Sequence, residues 1–467
     1  MMNTTHRIRR QSWIVKTSSA GEAFSSRSEL VTRWESDYLP IFEEAFNRVS
    51  IPGKVIHIPK LEIRVRKHES DQEKFREDIL KQLMEQLSEL LSNPVTDTTQ
   101  AYQEDEYEAN MLLHYLQFGV LSWEGSHLDV NMLLAEMDFE KHLDQVIRHI
   151  RSDSGKDAFL FRWLQLISVK KGRLEQFASR IMPEVFHKNE VALLSEVNQL
   201  LSERANEQTR LTFLCGIFRE MAQKTGNFQD QLILQIKNQQ EELQGLEESI
   251  CLLPAFRLLT ADVITDKASL HLSENEMLDN SDQAEDPIPA EKVKVTGSGI
   301  MVLHAGIVLL HPFLLQLFRI TGILDTDSSA IPAERLSKAA AMLSYVAKGI
   351  DKPLEWELPL VKILLGLHPT DHLMVFPDQL GNEDIHSCDE MLNALPEYWT
   401  VLKNTSSSGI REAFFSRSGL ARELDHSWKL SVESKSIDIL LSKLPWSISI
   451  IKLPWMHKPI FAEWPTP

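Results

Sequence analysis

The spacing of apolar residues along this chain switches between periods of about two and about 3.6, and the switches outline its elements. Ile8 to Val15 reads as a strand. From Phe24 to Val49, Trp34, Tyr38, Ile41, Phe42, Ala45 and Phe46 fall on one helical stripe. Pro52-Gly53 punctuates, and Leu61, Ile63 and Val65 then alternate with Glu62, Arg64 and Arg66, the mark of a half-buried strand. Pro59 puts that strand at an edge or interrupts it. Ser70 with Glu73 forms a capping-box pattern, after which Phe75, Ile79, Leu83, Leu87 and Leu90 line one helical face. An Asn93-Pro94 break leads to an apolar helix from Met111, stopped at Gly119 with Trp123 just beyond.

From about 128 to 260 helical stripes follow one another, through Leu214, Ile217, Phe218 and Met221 and again through Leu232, Ile236, Leu243, Leu246 and Ile250. No heptad run is sustained enough for a coiled coil, so stacked helical hairpins fit better. The period is lost between Ser273 and Lys292. Glu274, Glu276, Asp279, Asp282, Glu285, Asp286 and Glu291 share that stretch with Pro287 and Pro289, the composition of an extended linker. Beyond it, Val295 to Phe318 carries no formal charge and is long enough to span a bilayer. His304, His311, Gln316 and mid-segment Pro312 argue instead for two buried helical pieces that break near His311. A faint internal echo links Leu113-His-Tyr-Leu-Gln-Phe-Gly119 to Leu343-Ser-Tyr-Val-Ala-Lys-Gly349.

Composition narrows the class. With 43% hydrophobic and 25% charged residues, the chain has ample material for packed cores, and its 467 residues suit several domains. The net charge of −18 repels phosphate backbones and anionic membranes, so neither nucleic acid nor stable membrane insertion is expected. Cys215, Cys251 and Cys388 are too scattered for a disulfide framework or a zinc site, and read as buried thiols in a reducing cytoplasm. No apolar run follows the basic N-terminal residues, so they do not form a secretory signal.

Chemistry-bearing patterns are sparse. Thr296-Gly-Ser-Gly-Ile300 lacks the Walker spacing and the third glycine of a dinucleotide loop, and reads as a turn before a buried helix. Gly-x-Ser-x-Gly and His-Glu-x-x-His are missing from the sequence. His304 and His311 could share a face, but no third metal ligand presents itself. The expectation is no catalytic residue, no cofactor and no metal. The tail is more distinctive: two Leu-Pro-Trp units, Leu444-Pro445-Trp446 and Leu453-Pro454-Trp455, flank the alternating run Ser447 to Ile451, with Trp464 near the end. Such tryptophans can pin a tail to its own domain or form a partner-binding surface, and sequence leaves both open.

One family shares many of these units in order. Ala305-Gly306, His311-Pro312-Phe313, Tyr345 with Gly349, Lys362 with Gly366, Trp399, Arg411 with Phe415, Arg417 and Gly419, then both Leu-Pro-Trp units and Trp464 resemble the tape-measure proteins of contractile injection systems. The resemblance is dense over about 300–464 and looser at His6 to Gln11, Ile58 to Val65 and Leu113 to Trp123. His304 and Leu365 stand where the family usually has Asn and Cys. The resemblance implies a non-enzymatic assembly protein of a bacterial phage-tail-like particle, one that sets inner-tube length. A baseplate adaptor or assembly chaperone is the alternative, and a carried toxin a more distant one.

The resulting picture is a mainly α, multi-domain protein. It has a small α/β unit at 1–68, a helical region at 69–270 with a variable centre at 125–260, an acidic linker at 271–294, and a compact, mostly helical C-terminal domain at 295–467 with a short β/aromatic tail. The family motifs would serve packing or docking. Expected partners are inner-tube, baseplate, spike or cap proteins, met in the cytoplasm during assembly and kept in the particle afterwards. The acidic balance would suit a basic surface such as a tube lumen.

Overall fold

A computed structural model describes residues 32–58, 60–65, 72–92, 100–121, 130, 139–152, 157–168, 170, 172–181, 188–222, 228–238, 249–250, 252–257, 299–325, 327–349, 352–376 and 379–464, with scattered positions from 6 to 30. The chain divides into two compact units, Met1–Asn110 and Met111–Pro467. It is mostly helical, with small β elements near its ends.

In the first unit the apolar stripe predicted before Val49 becomes a π-helical turn (Trp34–Tyr38) running into α1 (Leu39–Val49), where Pro40 occupies the first turn and loses no hydrogen bond there. Tyr38, Ile41 and Ala45 pack against Ile79, Leu83 and Leu87 of α2 (Gln72–Ser92), matching the three- and four-residue spacing of helical stripes. β1 (Lys54–His57) pairs antiparallel with β2 (Gln100–Gln103). The alternating run at 61–65 is only half of what its pattern suggested. Ile58, Leu61, Ile63 and Val65 do lie against the core while Glu62 and Arg64 face water, yet no strand partner exists among the described residues. Alternation reports which side is buried; a strand needs a ladder as well. The expected strand at 8–15, Ser70 of the capping box, Trp123, Leu243, Leu246, Cys251 and the acidic linker at 271–294 lie outside or mostly outside the described residues.

The second unit takes in α3 (Glu104–Phe118) from Met111 onward, then α4 (Phe139–Ser152), α5 (Asp157–Ile167), α6 (Arg173–Ile181), α7 (Lys188–Arg204), α8 (Glu207–Ala222) and α9 (Phe228–Asn238). These pack together, α8 lying against α5, α7 and α9. Their rings interlock: Phe139 stacks on Trp163 at 5.6 Å, and Phe177 sits 5.9 Å from Trp163 and 4.9 Å from Phe218. Leu214, Ile217, Phe218, Leu232, Ile236 and Ile250 are buried as their stripes implied.

The C-terminal body begins at Gly299 with β3 (Ile300–Val302), where the sequence suggested a turn directly into a helix. A 3-10 helix (Ala305–Leu310) then runs into α10 (His311–Ile320), with Pro312 in its first turn, so the two helical pieces join at His311 as expected. Next come α11 (Leu336–Lys348), α12 (Pro359–Leu364) and α13 (Asn382–Tyr398), followed by a π-helical turn at Arg411–Phe415. β4 (Gly419–Leu424) and β5 (Ser427–Val432) make a hairpin. A long 3-10 helix (Ser436–Lys443) leads to β6 (Ile450–Ile451) and β7 (Ile460–Glu463). The strand order is β3-β4-β5-β7-β6, antiparallel except for the parallel β5–β7 pair. A single continuous apolar core runs from Val302 to Ala462. Among the described residues no helix is long and apolar enough to cross a membrane.

Candidate functional site

The family-motif residues converge in the C-terminal body, chiefly as packing groups. Gly306 lets the 3-10 helix touch the π-helical turn: a Cβ there would fall 1.7 Å from the Phe414 carbonyl oxygen. Gly419 makes the same allowance one layer on, since its Cβ would fall 2.7 Å from that of Ala305. The Ala305 amide donates to the Arg417 carbonyl at 2.8 Å, and Phe415 is fully buried beside them. Gly366 lies beneath the Trp455 carbonyl, 2.6 Å from where a Cβ would sit.

The tail tryptophans divide. Trp455 is buried, stacks on Phe318 with centroids 5.1 Å apart, and donates its indole N–H to the Leu364 carbonyl at 2.8 Å; Leu453 is buried beside it. Trp399 is buried against Phe414 at 4.8 Å. Trp446 is half-buried: its N–H donates to the Leu309 carbonyl at 3.0 Å and its ring meets Phe313 edge-on at 5.2 Å, with the exposed Tyr398 ring 5.4 Å from Phe313. Leu444 is half-buried, whereas Pro312, Pro445 and Pro454 are exposed. His311 is half-buried, one ring nitrogen lying 3.0 Å from the Val308 carbonyl.

Two buried guanidinium hubs were invisible as partnerships in the sequence. Arg417 forms an ion pair with Asp438, donates to the Ala413 carbonyl, and lies 5.2 Å from the half-buried Trp464 ring. Arg162 of α5 donates to Glu355 through Nε at 2.7 Å and Nη2 at 3.0 Å, and through Nη1 to the Leu116 and Gln117 carbonyls at the end of α3. Glu355 also accepts from Lys362 Nζ at 2.7 Å and from the Leu373 amide at 3.1 Å, and His372 Nδ1 stands 3.4 Å away. All three charged side chains are at most 1% exposed. Burial alone pushes the Glu355 carboxyl up, but hydrogen bonds from His372 and Arg162 and the neighbouring cations outweigh it and hold the group well below the carboxylate range. Burial lowers Lys362, and its attraction to Glu355 offsets this only in part.

The faint sequence echo is structural. Gly119 and Gly349 both adopt left-handed backbone (φ +69° and +76°), and their amides donate to the carbonyls of Tyr115 and Tyr345 at 2.6 and 2.7 Å. In each case an arginine then caps the helix end: Arg162 on Leu116, and Arg411 Nε on the Val346 carbonyl at 3.0 Å. Tyr345 donates to Asp389, with Arg411 5.3 Å from its ring centre.

None of this resembles a reaction centre. Among the described residues no group of three or more His, Cys, Asp or Glu could hold a metal. Cys215 and Cys388 are buried free thiols, and burial pushes the Cys388 thiol up to about 12. A cavity with room for about one water is lined by His304, Ser344, Lys348 and Glu357. No curated protein and no solved structure matches the chain. A family model described as contractile injection system tape measure protein matches residues 5–464, so the chain belongs to that family of structural, non-enzymatic proteins.

Proposed function

We propose that this member of the family helps to set inner-tube length, docking through its C-terminal body onto baseplate, spike, tube or cap proteins of the particle. The supporting observation is the core from Val302 to Ala462, which takes in Ala305, Trp399, Phe415, Leu453 and Trp455 of the family motifs and has Phe313, Tyr345, Leu444, Trp446 and Trp464 packed against it. A rigid body of that kind presents a fixed surface, while the helical centre supplies variable length. At 1.5 Å per residue, fully helical residues 125–290 would span at most about 250 Å. Assembly would take place in the cytoplasm, with the protein afterwards kept in the particle.

A second reading has its own support. Arg162 and Glu355 are 193 residues apart in sequence and share a hydrogen bond, so in this conformation the intervening chain adds no distance between them. That geometry suits a compact adaptor or assembly chaperone. The two readings separate on one experiment. Helical hairpins between 130 and 260 are deleted, and particles are measured by electron microscopy. Tubes that shorten in step with the deletion support measurement. Unchanged length in every deletion removes that role and leaves the adaptor. Association with a basic lumen would weaken as salt is raised, because charge attraction between exposed groups is screened within about 10 Å at 0.1 M.

A further inference from the structure

Within the second compact unit, the Arg162–Glu355–Lys362 cluster joins the helical stack to the C-terminal body. The apolar core on one side contains only residues from Val302 to Ala462. On the other, α5 turns Trp163 toward Phe139 and Phe177 inside the helical stack. α5 meets the C-terminal body through Arg162 on Glu355, and through Phe161 against the rings of His372 at 5.7 Å and Phe376 at 6.2 Å.

The centre of that contact is polar and unbalanced. Two buried cations share one carboxylate, and the buried Tyr115 hydroxyl nearby has no hydrogen-bond partner among the described residues. Charges removed from water regain hydration when surfaces part, so a buried ion pair holds an interface less firmly than apolar side chains of the same shape. It still specifies register, because the bidentate arginine accepts only one geometry. An interface meant to stay shut would be better filled with leucine.

We propose that this cluster is a latch: α3 and α5 separate from the C-terminal body as a unit, exposing Glu355, while both cores stay folded. Closed, the latch holds the two ends of the chain from Arg162 to Glu355 together; open, it lets them move apart. The latch follows from the contacts alone, and only its bearing on tube length rests on the function proposed above.

Hydrogen exchange on the full chain tests it. In the wild type, α5 amides exchange faster than those of β5, as a part that opens on its own must. Glu355→Gln leaves two buried cations without a countercharge, and should speed α5 exchange by about a hundredfold or more while β5 is unchanged. Phe161→Ala removes only the ring contacts and should act in the same direction. Equal acceleration of α5 and β5 in both variants, or none in either, overturns the latch: the contact would then belong to one cooperative body. Because the readout is made on isolated protein, its failure is distinct from a failure of the tube-length reading.

Discussion

Gly306→Ala is the sharpest test of how the C-terminal body is packed. Gly306 has no positive φ to relieve, so alanine is conformationally acceptable there and the cost is steric. The added methyl would lie 1.7 Å from Phe414 O, 2.7 Å from Phe414 C and 2.9 Å from Phe415 Cα. Non-bonded carbons rest roughly 3.5 Å apart, so the 3-10 helix and the π-helical turn must separate by more than about 1 Å. Overpacking costs about 1–3 kcal/mol, and the upper end applies because the obstacle is backbone, which cannot rotate away. For a body of this size that lowers Tm by about 6–12 °C. Gly381→Ala is the control. It also has ordinary backbone (φ −78°), and its Cβ would meet only Asp384 Oδ2 at 3.7 Å, so its cost stays within about 1 kcal/mol. Near-ultraviolet circular dichroism follows tertiary packing around the buried tryptophans during a thermal ramp. If Gly306→Ala melts within a degree or so of Gly381→Ala, the close approach of the two segments is wrong.

Two further outcomes follow from buried charge. Burial, reinforced by the Lys348 charge, holds His304 below its ordinary value of 6.5, and burial does the same to His311. The unfolded chain therefore binds more protons between the lowered values and about 6.5, so Tm is flat above that pH and falls as the solution is acidified through it. Thermal melts from about pH 7.5 down to about 5.5 check this, and His304→Asn should flatten the slope; a Tm that rises on acidification refutes the assignment. Asp438→Asn removes the countercharge of Arg417, a pair at most 2% exposed. Breaking a buried pair costs about 3–5 kcal/mol, or about 6–20 °C in a melt, and a loss below about 2 °C would mean that water reaches the guanidinium.

How much of this was legible beforehand depended on how local the cause was. The helix ends at Gly119 and Gly349, the join at His311-Pro312 and the buried faces of α2 and α8 follow from short-range spacing, and they appear where the pattern put them. The five-stranded sheet was largely missed. Trp428, Leu430 and Val432 alternate with Lys429 and Ser431, a usable strand signal, but β3 and β6 have three and two residues and exist only because distant partners complete them. The Arg162–Glu355 and Arg417–Asp438 pairs could not be read at all, because a charged residue in sequence looks the same whether it meets water or a partner. Lys362 and Arg417 were singled out from the family motif, without any indication of what they would touch.

The order of strands in the C-terminal sheet has a consequence for how the protein is made. β7, residues 460–463, lies between β5 and β6, so the sheet is split until that segment has left the ribosome. Synthesis adds about 5–20 residues per second, and the earlier helices can collapse during that time. The five-stranded sheet cannot be completed until β7 emerges. Nascent or prematurely terminated chains lacking β7 leave β5 with an open edge and β6 without a partner, so the position of one short strand delays completion of the sheet to the last stage of its synthesis.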